Sequence, residues 1–131
     1  MKSHLATLVL LGVSLQVFAA EDWRQLYEDA AVTVAVNVDS LGDGERIRMF
    51  RERESLRQPE LDQASMRKVQ EKRYLRQADC ASRQLRTLSH IEFSEHGVLV
   101  FYEARQPSAA NWQAPHTARE IRLLEAMCGP A

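Results

Sequence analysis

The sequence predicts an α+β domain in which a series of short strands precedes one C-terminal helix, with a disulfide joining the helix to the sheet. Three observations predict it. Valines alternate with other residues over 32–38, as in a strand with one buried face. Thr117 opens a segment with apolar residues at helical spacing. The two cysteines, Cys80 and Cys128, follow an export signal, and an exported pair most simply forms one disulfide.

The N-terminal segment has the features of a cleavable secretory signal. Lys2 supplies a positive charge, and the apolar run after it is too short to cross a bilayer as a helix. Val17 and Ala19 suit the −3 and −1 positions of a cleavage site, so we expect residues 1–19 to be removed and residues 20–131 to form one domain. No cysteine lies near this cut, so we expect neither a lipid anchor nor a transmembrane segment after processing.

Charge is nearly balanced over the chain but unevenly distributed. The sequence has 17 Lys and Arg against 18 Asp and Glu, a formal net charge of −1, which argues against nucleic-acid binding. Guanidinium groups bind carboxylates and phosphates through paired hydrogen bonds, so an arginine-rich strand is a candidate surface for an acidic partner. A solvated strand face with interleaved glutamates is the other interpretation. The residues of this candidate basic face are Arg46, Arg48, Arg51 and Arg53.

In the first half of the domain, the sequence predicts a short segment at the edge of the sheet, a hairpin and a long loop. Residues 23–27 are expected to pack at the sheet edge. Residues 31–38 and 46–54 are expected to be two strands of a hairpin, joined by a turn rich in Asp, Ser and Gly. Residues 56–64 contain Pro59 and many polar side chains, and we expect a loop there.

The second half predicts three more strands. Residues 66–78 are compatible with a helix, but their few apolar residues make a poor helical stripe, which favours a long strand. Residues 85–93 and 98–103 are predicted strands on either side of a turn at Gly97. Residues 98–103 are apolar on both faces, so we expect that strand to be central and covered.

The predicted C-terminal helix has clear start and stop signals. Thr117 and Glu120 have the spacing of a capping box, His116 is expected to shape the start of the helix, and Gly129 with the following proline ends it. At about ten residues the helix is too short to be stable alone, so it must pack on the sheet. Its apolar stripe is predicted to contain Ile121, Leu124 and Met127, with Leu123 beside them.

No pattern of catalytic or metal-binding residues is present in the sequence. The histidines lack the spacing of metal ligands, and neither a Gly-x-Ser-x-Gly motif nor a glycine-rich phosphate loop occurs. Trp23 and Trp112 could line a ligand site, although tryptophans more often pack in a core. We therefore expect no catalytic residue, no cofactor and no metal site, and we do not expect an enzyme.

Several motifs follow one another in a distinctive order. They are Trp23, Val38-Asp39-Ser40-Leu41, Asp79-Cys80, Trp112-Gln113-Ala114-Pro115 and a terminal helix ending at Cys128. In this order they resemble the bacterial surface-adhesin E-like family over nearly the whole mature chain. The resemblance implies a single antiparallel sheet of about six strands, with the C-terminal helix on its concave face and tied to it by the disulfide. It also favours a strand over residues 66–78.

The export signal and the resemblance together suggest two functions. The first is an exported, non-enzymatic binding or structural protein of the bacterial envelope, most simply periplasmic, with an unidentified protein partner. The alternative is a surface adhesin that binds host extracellular-matrix or plasma proteins, as the family's namesake does, on the cell surface or after secretion. A small-molecule carrier that uses the concave face and Trp112 is a third interpretation, although a helix on that face argues against a large pocket.

Overall fold

The computed structural model describes residues 22–38 and 46–131; the predicted signal peptide at 1–19 and the predicted turn at 39–44 lie outside the described residues. Six strands precede a short 3-10 helix and one α-helix. The elements are β1 (Arg24–Glu28), β2 (Val32–Val38), β3 (Ile47–Asp62), β4 (Arg67–Asp79), β5 (Gln84–Ser94), β6 (Leu99–Ala104), a 3-10 turn (Pro107–Ala109) and α1 (Ala118–Cys128).

The six strands form one antiparallel sheet in which spatial order equals chain order. This arrangement confirms the single six-stranded sheet, the hairpin of β2 with β3 and the strand over residues 67–79. It also places β1 at one edge, as predicted for residues 23–27. Every connection joins neighbouring antiparallel strands, so each one can be a short turn.

Strand alternation divides the sheet into two faces, which we call the helix-side face and the open face. Helix α1 contacts β1 and β4, and its Leu123, Leu124 and Met127 join the buried core. The sheet contributes the remaining core residues, which are Val32, Val34, Val36, Phe50, Leu56, Val69, Ala78 and Leu85. The helix-side face therefore holds the core of the domain.

The structure confirms the residues predicted to begin and end the helix. The Thr117 hydroxyl accepts a hydrogen bond from the Glu120 amide at 3.1 Å, and Glu120 in turn accepts one from the His116 amide at 3.1 Å. Gly129 ends the helix with φ +85°, a conformation that side-chain-bearing residues rarely adopt. The predicted stripe needs one correction: Ile121 is 45% exposed, and Leu123 takes its place in the core.

The disulfide between Cys80 and Cys128 is present. It joins the turn after β4 to the last residue of α1, across a sequence separation of 48 residues and a Cα–Cα distance of 5.3 Å. At the other end of the helix, the Arg119 guanidinium donates to the Glu54 carboxylate on β3 at 2.6 Å. The short helix is therefore held to the sheet at both ends as well as by its apolar side chains.

The loop predicted over residues 56–64 is wrong, because β3 continues to Asp62. Leu56 belongs to the buried core, and this burial favours an extended chain over a mobile loop. The ladder between β3 and β4 shifts register between Ser55 and Glu60. Pro59 falls within this irregularity, where its missing N–H costs no regular ladder hydrogen bond. The actual turn occupies residues 63–66.

The prediction that residues 98–103 form a central, covered strand is also wrong. Among the described strands, β6 pairs with β5 alone and forms an edge of the sheet. Leu99 is 56% exposed and Tyr102 is 59% exposed. A strand with apolar residues on both faces is normally buried on both sides, but this one has a described neighbour on one side only.

Candidate functional site

A row of side chains crosses the open face from β2 to β6. The cross-strand partners are Ala35 with Arg53, Arg53 with Arg73, Arg73 with Ile91, and Ile91 with Tyr102. Residues directly opposite in an antiparallel sheet share a face and lie close together. Two arginines therefore lie side by side in the middle of the sheet, with Ala35 on one side of them and Ile91 and Tyr102 on the other.

Aromatic rings cover these arginines. The guanidinium carbon of Arg53 lies 4.6 Å from the centre of the Trp23 ring. Arg73 lies 5.9 Å from the same ring and 5.2 Å from the ring of Phe93. Stacking of a guanidinium on an aromatic face is favourable and keeps the side chain in one orientation. Trp23, which is half-buried, thus fixes the arginines of β3 and β4.

One carboxylate lies among these arginines. The Glu71 carboxylate is 2.9 Å from Nε of Arg73 and 3.9 Å from Nε of Arg53. Arg51, two residues before Arg53 on β3, adds a third guanidinium on the same face. Among the described side chains, this part of the open face therefore carries three guanidinium groups and one carboxylate. We call Trp23, Arg51, Arg53, Arg73, Ile91 and Phe93 the arginine–aromatic surface.

A shallow groove of about 200 Å³ lies within this surface. Leu75, Ser89 and Ile91 line its floor, and Trp23 and Arg51 are among its walls. The apolar floor suits an apolar side chain of a partner, and the guanidinium groups beside it suit a neighbouring carboxylate of the same partner.

The four arginines predicted as a basic face do not share one side of the sheet. Arg51 and Arg53 lie on the open face. Arg48 lies opposite the core residue Ala78, which places it on the helix-side face. Arg46 is exposed at the start of the strand, and its guanidinium lies 3.4 Å from the Asp79 carboxylate. Side chains alternate between the two faces along a strand. Arg46 and Arg48, at even positions, therefore do not share the face of Arg51 and Arg53, at odd positions.

The apolar residues of β6 adjoin the arginine–aromatic surface, and sequence reasoning missed this part of it. Tyr102 lies opposite Ile91, and Leu99 lies opposite Phe93. The other edge strand, β1, exposes Arg24, Gln25 and Glu28, the kind of polar side chains that usually protect a sheet edge. The run of apolar residues on both faces of β6 was the available signal, but it suggested burial inside the domain.

A second group of polar residues is buried on the helix-side face. Glu52 is 0% exposed, and its Oε2 lies 2.7 Å from Nε of Arg76. The two groups are not aligned for a hydrogen bond, so neither oxygen of Glu52 accepts one from a described residue. Burial raises the pKa of Glu52 to about 7, an effect that Arg76 partly offsets and that the neighbouring Glu54 carboxylate strengthens.

The histidines and Trp112 have structural neighbours. The His90 ring stacks on Tyr74 with ring centres 4.6 Å apart, and Trp112 lies under the guanidinium of Arg86 at 4.3 Å. His116 contributes its amide to the start of the helix. Across residues 22–38 and 46–131, no group of three or more His, Cys, Asp or Glu side chains is placed to hold a metal ion.

The comparisons with known proteins give one match. A family model described as surface-adhesin protein E matches residues 23–129. No curated protein and no solved structure matches the chain. In the part of the chain that the structure describes, no helix has the length and apolar character needed to span a bilayer. Because the family match extends over most of the 131 residues, the chain belongs to the surface-adhesin protein E family.

Proposed function

We propose that this protein is an exported, non-enzymatic binding protein of the bacterial envelope that engages a protein partner through its arginine–aromatic surface. The observation that carries the proposal is the composition of the open face, where Trp23, Arg53, Arg73 and Phe93 stack on one another. Trp and Arg are the residues most enriched among those that dominate protein–protein binding energy. Membership in an adhesin family supports the same role.

The charge of the surface indicates the kind of partner. Within residues 22–38 and 46–131, its arginines outnumber the carboxylate, Glu71, that lies among them. A partner with acidic side chains next to an apolar one would complement both the guanidinium groups and the groove floor. Of the four arginines predicted as a basic face, we propose that Arg51 and Arg53 contact this partner, with Arg73 as a third contact. Arg46 and Arg48 would then not contact the partner and would contribute only to the electrostatic potential of the domain.

The exposed residues of β6 extend this proposed interface. Tyr102 and Leu99 continue the apolar part of the open face to the edge of the sheet. Exposed apolar side chains in one continuous area are typical of interaction sites. A partner that covers the groove would therefore also cover part of β6.

The proposed cellular location follows from the N-terminal segment. We propose that residues 1–19 are a signal peptide, that residues 20–131 form the mature domain, and that the mature protein is periplasmic. We also propose that α1 lies on the concave face of the sheet. The open face would then be the convex one, which is accessible to a large partner.

The second candidate function is that of a surface adhesin for host extracellular-matrix or plasma proteins, and the family match favours it. The two functions differ in where the protein resides. Protease treatment of intact producing cells, with a periplasmic protein as control, separates them. Degradation of this protein while the control stays intact would support the adhesin, whereas protection until the outer membrane is opened would support the periplasmic protein.

A pair of double variants tests the interface itself. We expect Arg51→Gln/Arg53→Gln to weaken binding of the immobilised protein to its partner, assayed against a detergent extract of the producing cells' envelope and against purified matrix and plasma proteins. Arg48→Gln/Arg122→Gln removes the same charge from other parts of the surface and should leave binding unchanged. Equal loss in both double variants, or in neither, would contradict the proposed surface.

A further inference from the structure

A cavity of about 250 Å³ lies where β4, β5 and β6 meet the segment that follows β6. The segment after β6 folds back to form its wall, and Gln113 anchors this segment through paired backbone hydrogen bonds with Leu85, each 2.8 Å long. Side chains with hydrogen-bond donors dominate its lining. They include Tyr74, Arg86, His90, Arg105, Asn111 and Gln113.

Arg86 is the main feature of this wall. Its Nε donates to the side-chain oxygen of Gln77 at 2.7 Å, and its Nη1 donates to the carbonyl oxygen of Pro107 at 3.0 Å. The guanidinium also stacks on Trp112 at 4.3 Å. These contacts hold Arg86 in a single orientation, and they leave one of its three nitrogens for a further acceptor.

The partners of Arg86 are all uncharged. Two other partly buried arginines lie close to a carboxylate: Arg76 beside Glu52 at 2.7 Å and Arg119 beside Glu54 at 2.6 Å. Among the described residues, no carboxylate lies within 4 Å of Arg86. A partly buried positive charge without a counter-charge is unfavourable, and an anion in the cavity would supply one.

The rest of the wall also suits an anion. Glu103 is the acidic side chain of the lining, and Arg105 neutralises it through two nitrogens at 3.2 and 3.1 Å from one carboxylate oxygen. Burial raises the pKa of the Tyr74 phenol far above neutrality, so this hydroxyl stays protonated and can donate. The cavity therefore offers an uncompensated guanidinium together with neutral donors.

We propose that this cavity binds a small oxyanion, the carboxylate or phosphate group of a small molecule, against Arg86. A planar guanidinium recognises either group through charge-assisted hydrogen bonds. The size of the cavity limits the ligand to a small ion. Its lining includes none of the residues that define the arginine–aromatic surface.

Calorimetry and thermal unfolding test the site with inorganic phosphate, succinate and citrate as probes, each against sodium chloride of matched ionic strength. We expect saturable binding of at least one probe, with a rise in Tm that follows its concentration. The identity of the binding probe distinguishes a phosphate from a carboxylate ligand. No saturable heat and no specific rise in Tm with any probe up to about 10 mM would overturn the proposal.

Three variants locate the binding. Arg86→Gln should weaken binding at least tenfold, whereas Arg83→Gln, which removes another partly buried arginine outside the cavity, should leave it unchanged. Gln77→Glu places a carboxylate where the Gln77 side chain now accepts from Arg86 at 2.7 Å. This internal counter-charge should weaken binding at least tenfold, and it keeps the test decisive if Arg86→Gln does not fold. Equal binding in the native protein, Arg86→Gln and Gln77→Glu would overturn the proposed location.

Discussion

At the scale of single residues, Glu52 is the unusual component of the core. It lies on β3 between Phe50 and Glu54, all on the helix-side face, and its side chain is 0% exposed. Its proximity to Arg76 does not fully compensate for the loss of water, so its pKa rises to about 7. The folded protein therefore takes up a proton at a pH where the unfolded chain has already lost it.

This raised pKa predicts that stability falls as pH rises from about 5 to 8. A carboxyl group whose pKa is higher in the folded state stabilises that state below the unfolded pKa, near 4.5, and this contribution is lost through the folded pKa near 7. The full effect is of order 3 kcal/mol for such a shift. Urea unfolding at pH 5 and pH 8 measures it. Hydrogen bonds lower the pKa values of Asp29, Asp62 and Asp79, so these groups titrate below this window.

Glu52→Gln isolates the effect, because glutamine resembles the protonated carboxyl group. We expect the variant to be about as stable as the native protein at pH 5 and more stable than it at pH 8. Glu60→Gln, at an exposed position on the same strand, is the control and should keep the native pH dependence. If the stability of Glu52→Gln kept the pH dependence of the native protein, a group other than Glu52 would be responsible for that dependence.

Sequence reasoning could not identify Glu52 as buried. Alternating arginines and glutamates from Arg51 to Glu54 are typical of a solvated strand, and that was one of the two interpretations of this segment. The arginines do lie on the open face, but the glutamates lie under helix α1. Their burial depends on Arg76 from β4 and Arg119 from α1, two residues whose proximity only the tertiary fold creates.

At the scale of elements, the strand with alternating valines and the capped helix were predictable because each has a local signal. The disulfide was predictable because the chain has two cysteines after an export signal. Residues 98–103 were correctly predicted to be a strand, but the edge position of β6 was not predicted, because an apolar sequence specifies a strand and not its neighbours. Chain order in the sheet leaves the last strand at an edge, so a sequence suited to burial is exposed. The incorrect loop prediction at residues 56–64 also arose from information that the local sequence lacks. Pro59 suggested a loop, but it is tolerated in β3 because the ladder with β4 shifts register there.

The contrast between β6 and α1 predicts different costs for the same substitution. Leu123 is 0% exposed, so Leu123→Ala should destabilise the domain by about 2–5 kcal/mol through lost burial and a cavity. Leu99 is 56% exposed, so Leu99→Ala should change the free energy of unfolding by no more than about 0.5 kcal/mol. Denaturant unfolding compares the two. Similar losses would mean that β6 is covered in the native protein.

The disulfide is the covalent link between two elements, and its loss should be costly. The loop that it closes spans 48 residues, for which chain entropy predicts a stabilisation of about 4 kcal/mol. Cys80→Ser/Cys128→Ser should therefore lower Tm strongly under oxidising conditions. Reduced native protein is the matched control and should unfold near the Tm of the variant. An unchanged Tm in the oxidised comparison would contradict a stabilising role for the bond.

At the scale of the whole molecule, the two faces of the sheet carry different side chains. The helix-side face contains the core and the buried carboxylates Glu52 and Glu54. The open face carries the arginine–aromatic surface and adjoins the exposed β6. A domain of the surface-adhesin protein E family can thus present one face to a partner while the disulfide and the helix hold the other together.

The most direct test of partner binding through the open face is site-specific photo-cross-linking in producing cells. p-Benzoylphenylalanine at Tyr102 reports on the open face beside Ile91, and the same residue at Ile121 reports on the exposed side of α1. We predict one reproducible cross-linked protein from position 102, reduced by Arg51→Gln/Arg53→Gln, and none from position 121. Cross-links of equal yield from both positions, or none from position 102, would contradict the account.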